Sequence, residues 1–312
     1  MHLFIEQIND FDDWFGKVFQ SIPAFMQLIE HIFWKENLPL ATIENMPPGT
    51  NAVFKVGNYV IKIFVPPIIS EKDIDFGTSV DVELFGIKWA NARGVPSPKL
   101  IVEGAVEDKY FFRYMIMEYL HGTMLNDIES HLTYEDKVII GQNMRKITDK
   151  LNAPCENFTP FDVLQHALDN DNWCDEGFPA TLEAERLEYL AGLTINENDK
   201  VYCHGDLHGG NVLVDDKRNV YIVDFADAMY APKEYEQLYI VSSLFCFEKP
   251  YMLGYFGDYA VEDIVDLCMT WLPIHAWGHS ATEGNLKPAK EITSFAVMRE
   301  RLYNLITSCL NR

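Results

Sequence analysis

The residues best placed to do chemistry lie between positions 204 and 224. Residues 204–211 read His-Gly-Asp-Leu-His-Gly-Gly-Asn, and an apolar run that follows them ends at Asp224. Asp206 is a carboxylate that could orient an attacking hydroxyl, whereas Asn211 and Asp224 offer hard oxygen ligands to a magnesium ion. This combination predicts phosphoryl transfer from a nucleotide.

Short strands are predicted to bring these residues together. Residues 201–203 form an apolar run before the loop, and residues 212–223 read as a hairpin with a polar turn. Such a hairpin would place Asp224 beside the loop that carries Asp206. The spacing H-x-D-x-x-x-x-N is also the pattern of a kinase catalytic loop, so the remaining kinase elements should occur upstream.

The upstream sequence predicts a nucleotide-binding sheet. Residues 41–64 alternate apolar and polar side chains around the turn signals Pro-Pro-Gly and Gly-Asn, which indicates a three-stranded meander. Lys62 lies in Val-Ile-Lys-Ile on the third strand, close to the form expected for a phosphate-binding lysine. The first turn has a single glycine, Gly49, so we expect Thr50 and Asn51 to donate to phosphate as well.

A helix and a later strand complete the predicted nucleotide site. Residues 81–91 have helical apolar spacing, and Glu83 would hold Lys62 there, although a helix acid can also be simply solvated. Residues 110–122 form a β-rich run that ends at a glycine, as expected for a crossover between two lobes where a nucleobase docks. The residues predicted to contact the base are Met117, Glu118 and Leu120.

These motifs resemble those of the aminoglycoside phosphotransferase and choline kinase-like superfamily, which shares the protein kinase architecture. The resemblance covers about Ala41 to Ser242 and is most specific at residues 201–227. It implies an α+β class and a bilobal protein-kinase-like fold, with a small antiparallel β-sheet N-lobe, a mostly helical C-lobe and nucleotide bound between them. The N-lobe is expected to span residues 1–120 and the C-lobe residues 121–312. Within the N-lobe, residues 1–40 would form a helical extension and residues 41–120 the nucleotide-binding sheet and helix.

The resemblance also implies roles for individual residues and for cofactors. Asp206 is expected to be the catalytic acid, with His204 bracing the loop. Asn211 and Asp224 are expected to hold Mg²⁺, with ATP or GTP as the phosphate donor. Asp227 is either a further metal contact or a surface turn acid.

The acceptor is predicted to be a small, cationic molecule. Ala231-Pro232-Lys233 follows Asp224 too closely to leave room for the activation segment on which a protein kinase binds peptide. Acidic residues are dense between 156 and 188, and in the resembled family such loops cradle polycationic acceptors, although an acidic solvated surface is an equal alternative. The candidate acceptor-binding residues are Asp162, Asp169, Asp171, Trp173, Asp175 and Glu176, of which Trp173 could instead belong to the core.

Composition limits the remaining possibilities. The formal net charge of −22 argues against nucleic acid or an anionic membrane as a partner. The six cysteines include no close pair suited to zinc or redox chemistry, and the first residues lack the order of a signal peptide. We therefore expect a cytoplasmic protein. No apolar stretch approaches a membrane span.

The favoured function is a kinase whose acceptor is an aminoglycoside-like antibiotic, and two alternatives to this function remain open. Within the same enzyme class, the acceptor could be choline, a sugar, a macrolide or another small alcohol. From another class, the chain could be a nucleotide-binding pseudokinase or regulatory module, which the single-glycine turn favours. Against this second alternative, Lys62, Asp206, Asn211 and Asp224 are all present.

Overall fold

The computed structural model describes residues 2–47, 49–70, 80–169 and 172–310. The chain divides into two compact units. The first comprises Met1–Ala92 and Ser97–His121, and the second comprises Arg93–Pro96 and Gly122–Arg312. Within the described ranges, no helix has both the length and the apolar character needed to cross a bilayer.

A five-stranded antiparallel sheet forms the centre of the first unit. Its strands are β1 (Ile43–Asn45), β2 (Ala52–Val56), β3 (Tyr59–Ile63), β4 (Leu100–Glu107) and β5 (Phe111–Glu118). They lie in the order β1-β2-β3-β5-β4, so β1 to β3 form the meander that the sequence predicted. Lys62 pairs with Val53 on one side and Met115 on the other, which places it on the central strand of the sheet.

Helices at the N-terminus pack against this sheet. The helices of the unit are α1 (Phe11–Asp13), a π-helical turn (Trp14–Val18), α2 (Ile22–Lys35), α3 (Pro67–Ser70) and α4 (Val80–Ala92). The Ser21 side chain caps α2 by accepting a hydrogen bond from the Ala24 N–H. The buried face of α2 has the 3- and 4-residue spacing of an amphipathic helix, and Phe25 on that face contacts Phe54 and Phe112 of the sheet.

The second unit is mainly helical. Its helices are α5 (Leu125–Ile128), α6 (Tyr134–Leu151), α7 (Val163–Asp169), α8 (Ala180–Ala191), α9 (Lys233–Tyr239), α10 (Lys249–Phe256), α11 (Val261–Trp271), α12 (Gly278–Leu286) and α13 (Phe295–Leu310). A π-helical turn (Ile240–Leu244) follows α9, and short 3₁₀ turns occur at Glu129–His131, Glu197–Asp199 and Ala289–Glu291.

Five short strands of the second unit position the loop that the sequence singled out. They are β6 (Thr123–Met124), β7 (Lys200–Cys203), β8 (Val212–Val214), β9 (Val220–Ile222) and β10 (Met229–Pro232). β6, β8 and β9 form one antiparallel sheet, and β7 pairs with β10 in another. A small antiparallel sheet in one unit and a mostly helical second unit confirm the expected α+β fold class.

Candidate active site

The predicted hairpin is present and aligns two candidate metal ligands. Val212 on β8 lies opposite Ile222 on β9, and the Val223 N–H donates to the Asn211 carbonyl at 3.0 Å. Asn211 therefore lies just before one strand and Asp224 just after the other. Because the strands are antiparallel, both residues lie at the same end of the hairpin.

Asn211 also fixes the carboxylate of Asp206. Its side-chain Nδ2 donates to the Asp206 backbone carbonyl and to Asp206 Oδ2, each at 2.9 Å. Both hydrogens of the Asn211 amide are thereby directed at Asp206. The amide oxygen, on the opposite side of the planar group, points away from that carboxylate and can serve a cation.

The donor set at this end of the hairpin fits a magnesium ion. The Asn211 amide oxygen and the Asp224 carboxylate are hard ligands, and Mg²⁺ is commonly held by one or two such groups together with substrate phosphates. Asp224 has a φ of 62°, a left-handed conformation that is unfavourable for a residue other than glycine and is concentrated at functional sites. No group of three or more His, Cys, Asp or Glu side chains in the described part of the chain could hold a metal alone.

The His204 side chain holds the loop by hydrogen bonds to two backbone groups. Its ring is fully buried against Phe225, with ring centroids 5.0 Å apart. Nδ1 accepts from the Asp206 N–H at 3.4 Å, so the neutral ring carries its proton on Nε2, which donates to the Val223 carbonyl at 3.1 Å. Burial lowers the pKa of His204, which keeps the ring neutral. His204 therefore connects the loop to the strand before Asp224.

Glu236 holds the loop by its backbone and was missed by the sequence analysis. Its carboxylate accepts hydrogen bonds from the N–H groups of His204 and Gly205 and from Asn152 Nδ2. Gly205 has a φ of 85°, and a Cβ there would lie 2.0 Å from the Asp227 carbonyl oxygen, so no other residue fits. Glu236 is 1% exposed in the first turn of α9. An acid in a first helical turn is ordinarily solvated, so spacing alone gave no signal for it.

His208 is a second residue that the sequence analysis did not single out, although it lies in the same motif. Its Nε2 is 3.4 Å from Asp206 Oδ2, and its Nδ1 accepts from the Gly210 N–H at 3.0 Å. The hydrogen bond with Asp206 raises the pKa of His208. His208 thus presents an N–H to the carboxylate expected to do the chemistry.

In the first unit, the predicted partner of Lys62 is present. Lys62 Nζ lies 2.6 Å from Glu83 Oε1, with Lys62 6% exposed and Glu83 2% exposed. A buried ion pair of this kind contributes little net stability, because desolvation offsets the attraction. We therefore interpret the pair as one that positions the ammonium group. The contact with phosphate itself stays a prediction.

The structure corrects the prediction for the Asn51 side chain. Asn51 is 3% exposed, and its Oδ1 accepts from the Val65 N–H at 3.2 Å. The side chain therefore anchors the chain just after β3 instead of reaching toward a phosphate. Donation to phosphate by Thr50 and by the backbone N–H groups of this turn stays a prediction.

A Gly49→Ala substitution separates folding from phosphate binding. An added Cβ at Gly49 would have no atom within 4 Å beyond its own residue and its two chain neighbours, so we expect unchanged thermal stability. If the backbone approaches phosphate there, the methyl group should raise the nucleotide Kd several-fold. Gly16→Ala, which meets equally open space in the same unit, is the matched control for titration calorimetry. Wild-type affinity in Gly49→Ala would exclude close backbone approach at this position.

The predicted base-contacting residues lie at the end of β5. Met117 pairs with Val60 of the neighbouring strand, and the Glu118 N–H donates to the Lys99 carbonyl at 2.9 Å. The sheet therefore occupies the Glu118 N–H, and Leu120 lies beyond the end of the strand. Contact with a base remains a prediction for these residues.

Several candidate acceptor residues have structural partners of their own. Asp162 caps α7 by accepting from the Gln165 N–H at 2.9 Å, and its other oxygen lies 3.4 Å from Lys200 Nζ. Asp169 accepts from the Gln165 side chain. Asp171 lies outside the described residues. The acidic stretch is therefore partly explained by helix capping and ion pairing.

Of the two alternatives for Trp173, acceptor binding and a place in the core, the structure shows the core. Its side chain is 0% exposed, and its ring packs against Phe178 at 5.0 Å and against the Arg186 guanidinium at 5.3 Å. No face of the ring is open to a ligand in this arrangement. Asp175 and Glu176 are exposed in the turn that follows, and their role in acceptor binding stays a prediction.

The fold of the chain is kinase-like. Residues 86–267, more than half of the chain, match the model of the phosphotransferase enzyme family. The chain belongs to this family. No curated protein sequence matches it.

Solved structures share the fold at low sequence identity. The GDP and kanamycin complex of APH(2″)-IIIa has a TM-score of 0.56 and 15% identity, covering 91% of this chain and 99% of that one. Choline kinase LicA from Streptococcus pneumoniae has a TM-score of 0.54 and 14% identity, covering 91% and 99%. Spectinomycin phosphotransferase APH(9)-Ia, in complex with ADP and spectinomycin, has a TM-score of 0.50 and 16% identity, covering 92% and 98%. The similarity shows a common fold.

Proposed function

We propose that this protein is a small-molecule kinase that transfers the γ-phosphate of ATP or GTP to a hydroxyl of a cationic acceptor, with an aminoglycoside-like antibiotic favoured. The observation that carries the proposal is the pair of hydrogen bonds from Asn211 to Asp206, on a hairpin that sets Asp224 alongside. Nucleotide use is supported by the similar structures that contain GDP or ADP. We assign nucleotide binding to residues 1–120 and acceptor binding to residues 121–312.

In the proposed mechanism, Asp206 accepts a hydrogen bond from the acceptor hydroxyl and takes its proton late in the reaction. The acceptor oxygen forms a bond to the γ-phosphorus as the bond from that phosphorus to the β,γ-bridging oxygen breaks, which releases the nucleoside diphosphate. Asn211 and Asp224 would hold Mg²⁺, which neutralises phosphate charge when bound. Lys62, positioned by Glu83, contributes a further positive charge to the phosphates.

The charge of the protein supports a cationic acceptor. A net charge of −22 raises the local concentration of cations and repels nucleic acid and anionic lipid. Exposed acids at Asp175 and Glu176 belong to this surface. The nucleotide, which is itself an anion, would bind as its magnesium complex.

Nucleotide consumption tests the proposal directly. Purified protein with magnesium ATP or GTP would be assayed against aminoglycosides, choline, sugars and macrolides, with Asp206→Ala as the inactive control. We expect turnover with one cationic acceptor that is lost in the variant. Turnover with a neutral sugar or macrolide would refute a cationic acceptor. A magnesium-dependent thermal shift with nucleotide, but no turnover on any acceptor, would instead indicate a pseudokinase.

A further inference from the structure

The turn between β1 and β2 is held by side chains of the N-terminal helical segment. Trp14 Nε1 donates to the Thr50 carbonyl at 2.9 Å, and Gln20 Nε2 donates to the Met46 carbonyl at 3.1 Å. The two carbonyls lie on either side of Gly49 in the sequence. A segment outside the sheet thus fixes the turn at both ends.

Trp14 is itself held rigidly. Its side chain is fully buried, and its ring forms a T-shaped pair with Phe25, with centroids 5.8 Å apart and planes at 82°. It begins a π-helical turn (Trp14–Val18), a distortion that is rare and often found at functional sites. A buried indole N–H needs an acceptor, and Thr50 supplies it. The direction of this hydrogen bond is therefore set by the core packing around the ring.

The hydrogen bond to Thr50 also orients the next donor in the chain. In a planar trans peptide the carbonyl and the following N–H point in opposite directions. With the Thr50 carbonyl directed at Trp14, the Asn51 N–H must point away from Trp14. The Asn51 side chain is anchored independently by the Val65 N–H at 3.2 Å, so the direction of the Asn51 N–H is fixed from both sides.

We propose that Trp14 is a positioning residue for the nucleotide, whose hydrogen bond to Thr50 directs the Asn51 N–H at a phosphate oxygen. This inference rests on the proposed function, because it assumes that nucleotide phosphates bind at this turn. A glycine-rich loop offers several N–H groups to phosphate. The present turn has one glycine, and rigid placement of the Asn51 N–H by Trp14 compensates for the smaller number of glycines.

The test removes the indole N–H and measures phosphate recognition separately from folding. Trp14 is replaced by phenylalanine and, in a second variant, by 3-benzothienylalanine, which keeps the shape of the ring system but lacks the N–H. Phe4→Leu is the control, because Phe4 belongs to the same core but its ring contacts are with Phe25, Tyr110 and Phe112 and not with Trp14. Titration calorimetry gives Kd for magnesium ATP or GTP and for the corresponding nucleoside, and a thermal melt gives Tm.

Phosphate binding and base binding should respond differently. We expect both Trp14 variants to raise the Kd of the triphosphate by about three- to tenfold, the range for loss of one hydrogen bond, with the nucleoside Kd unchanged. Phe4→Leu should lower Tm without changing the ratio of the two Kd values. An unchanged ratio in the benzothienyl variant would overturn the inference while leaving the kinase proposal intact. Absence of nucleotide binding by the wild-type protein would overturn both.

Discussion

Asp206→Asn is expected to lower kcat by about 10²- to 10⁴-fold, the usual contribution of a positioned proton acceptor. Asparagine has the shape of aspartate, and its amide oxygen can still accept the hydrogen bond from Asn211 Nδ2. The loop should therefore keep its structure, and the nucleotide Kd should stay at the wild-type value. What is lost is the ability to take a proton from the acceptor hydroxyl.

The measurement is steady-state turnover with the acceptor found in the panel, together with nucleotide titration of the same protein preparation. Asp216→Asn is a matched control, because Asp216 is an exposed acid in the turn between β8 and β9. It should leave both kcat and Kd unchanged. A kcat for Asp206→Asn within a factor of a few of wild type would show that Asp206 does not take the proton.

Features set by local spacing were predictable from the sequence. The alternation of side chains in residues 41–64 gave the meander, and the apolar runs on either side of the polar turn gave the hairpin that ends at Asp224. Lys62 and Glu83 could be paired because a strand lysine followed by a helix acid is a recurring arrangement. In each of these cases the structure follows from the residue pattern of a short stretch of chain or from the spacing between two motifs.

Features set by tertiary burial were not predictable in the same way. Trp173 lies in an acidic, polar stretch, and only the packing of Arg186 and Phe178 around it makes it a core residue. Asn51 follows a turn glycine, as a phosphate-binding residue would, yet its side chain turns inward to Val65. The carboxylate of Glu236 meets a loop about 30 residues earlier in the chain, a contact that no periodicity encodes.

Removing the carboxylate of Glu236 should affect activity and stability together. In Glu236→Ala, three N–H donors lose this acceptor, and leaving the two buried ones unpaired costs about 2 kcal/mol or more. Two of those donors are the backbone N–H groups of His204 and Gly205, next to Asp206. A shift of the loop by about 1 Å is enough to lower kcat about 100-fold. Turnover and chemical denaturation check the two effects, with the partly exposed Glu234→Gln on the same helix as control.

Glu236→Gln isolates the effect of ionisation, because glutamine cannot titrate. Burial raises the pKa of Glu236 from 4.5 to about 7. A raised carboxyl pKa means that the folded state binds the proton more tightly, so this stabilisation is fully present below about pH 4.5 and is lost as the pH rises through about 7. Between about pH 5 and pH 8, the free energy of unfolding of the wild-type protein should therefore fall by about 2–3 kcal/mol relative to Glu236→Gln. Denaturant titrations across this range measure the difference. Parallel pH profiles for the two proteins would mean that Glu236 keeps one protonation state throughout, and that its three N–H donors hold it ionised despite burial.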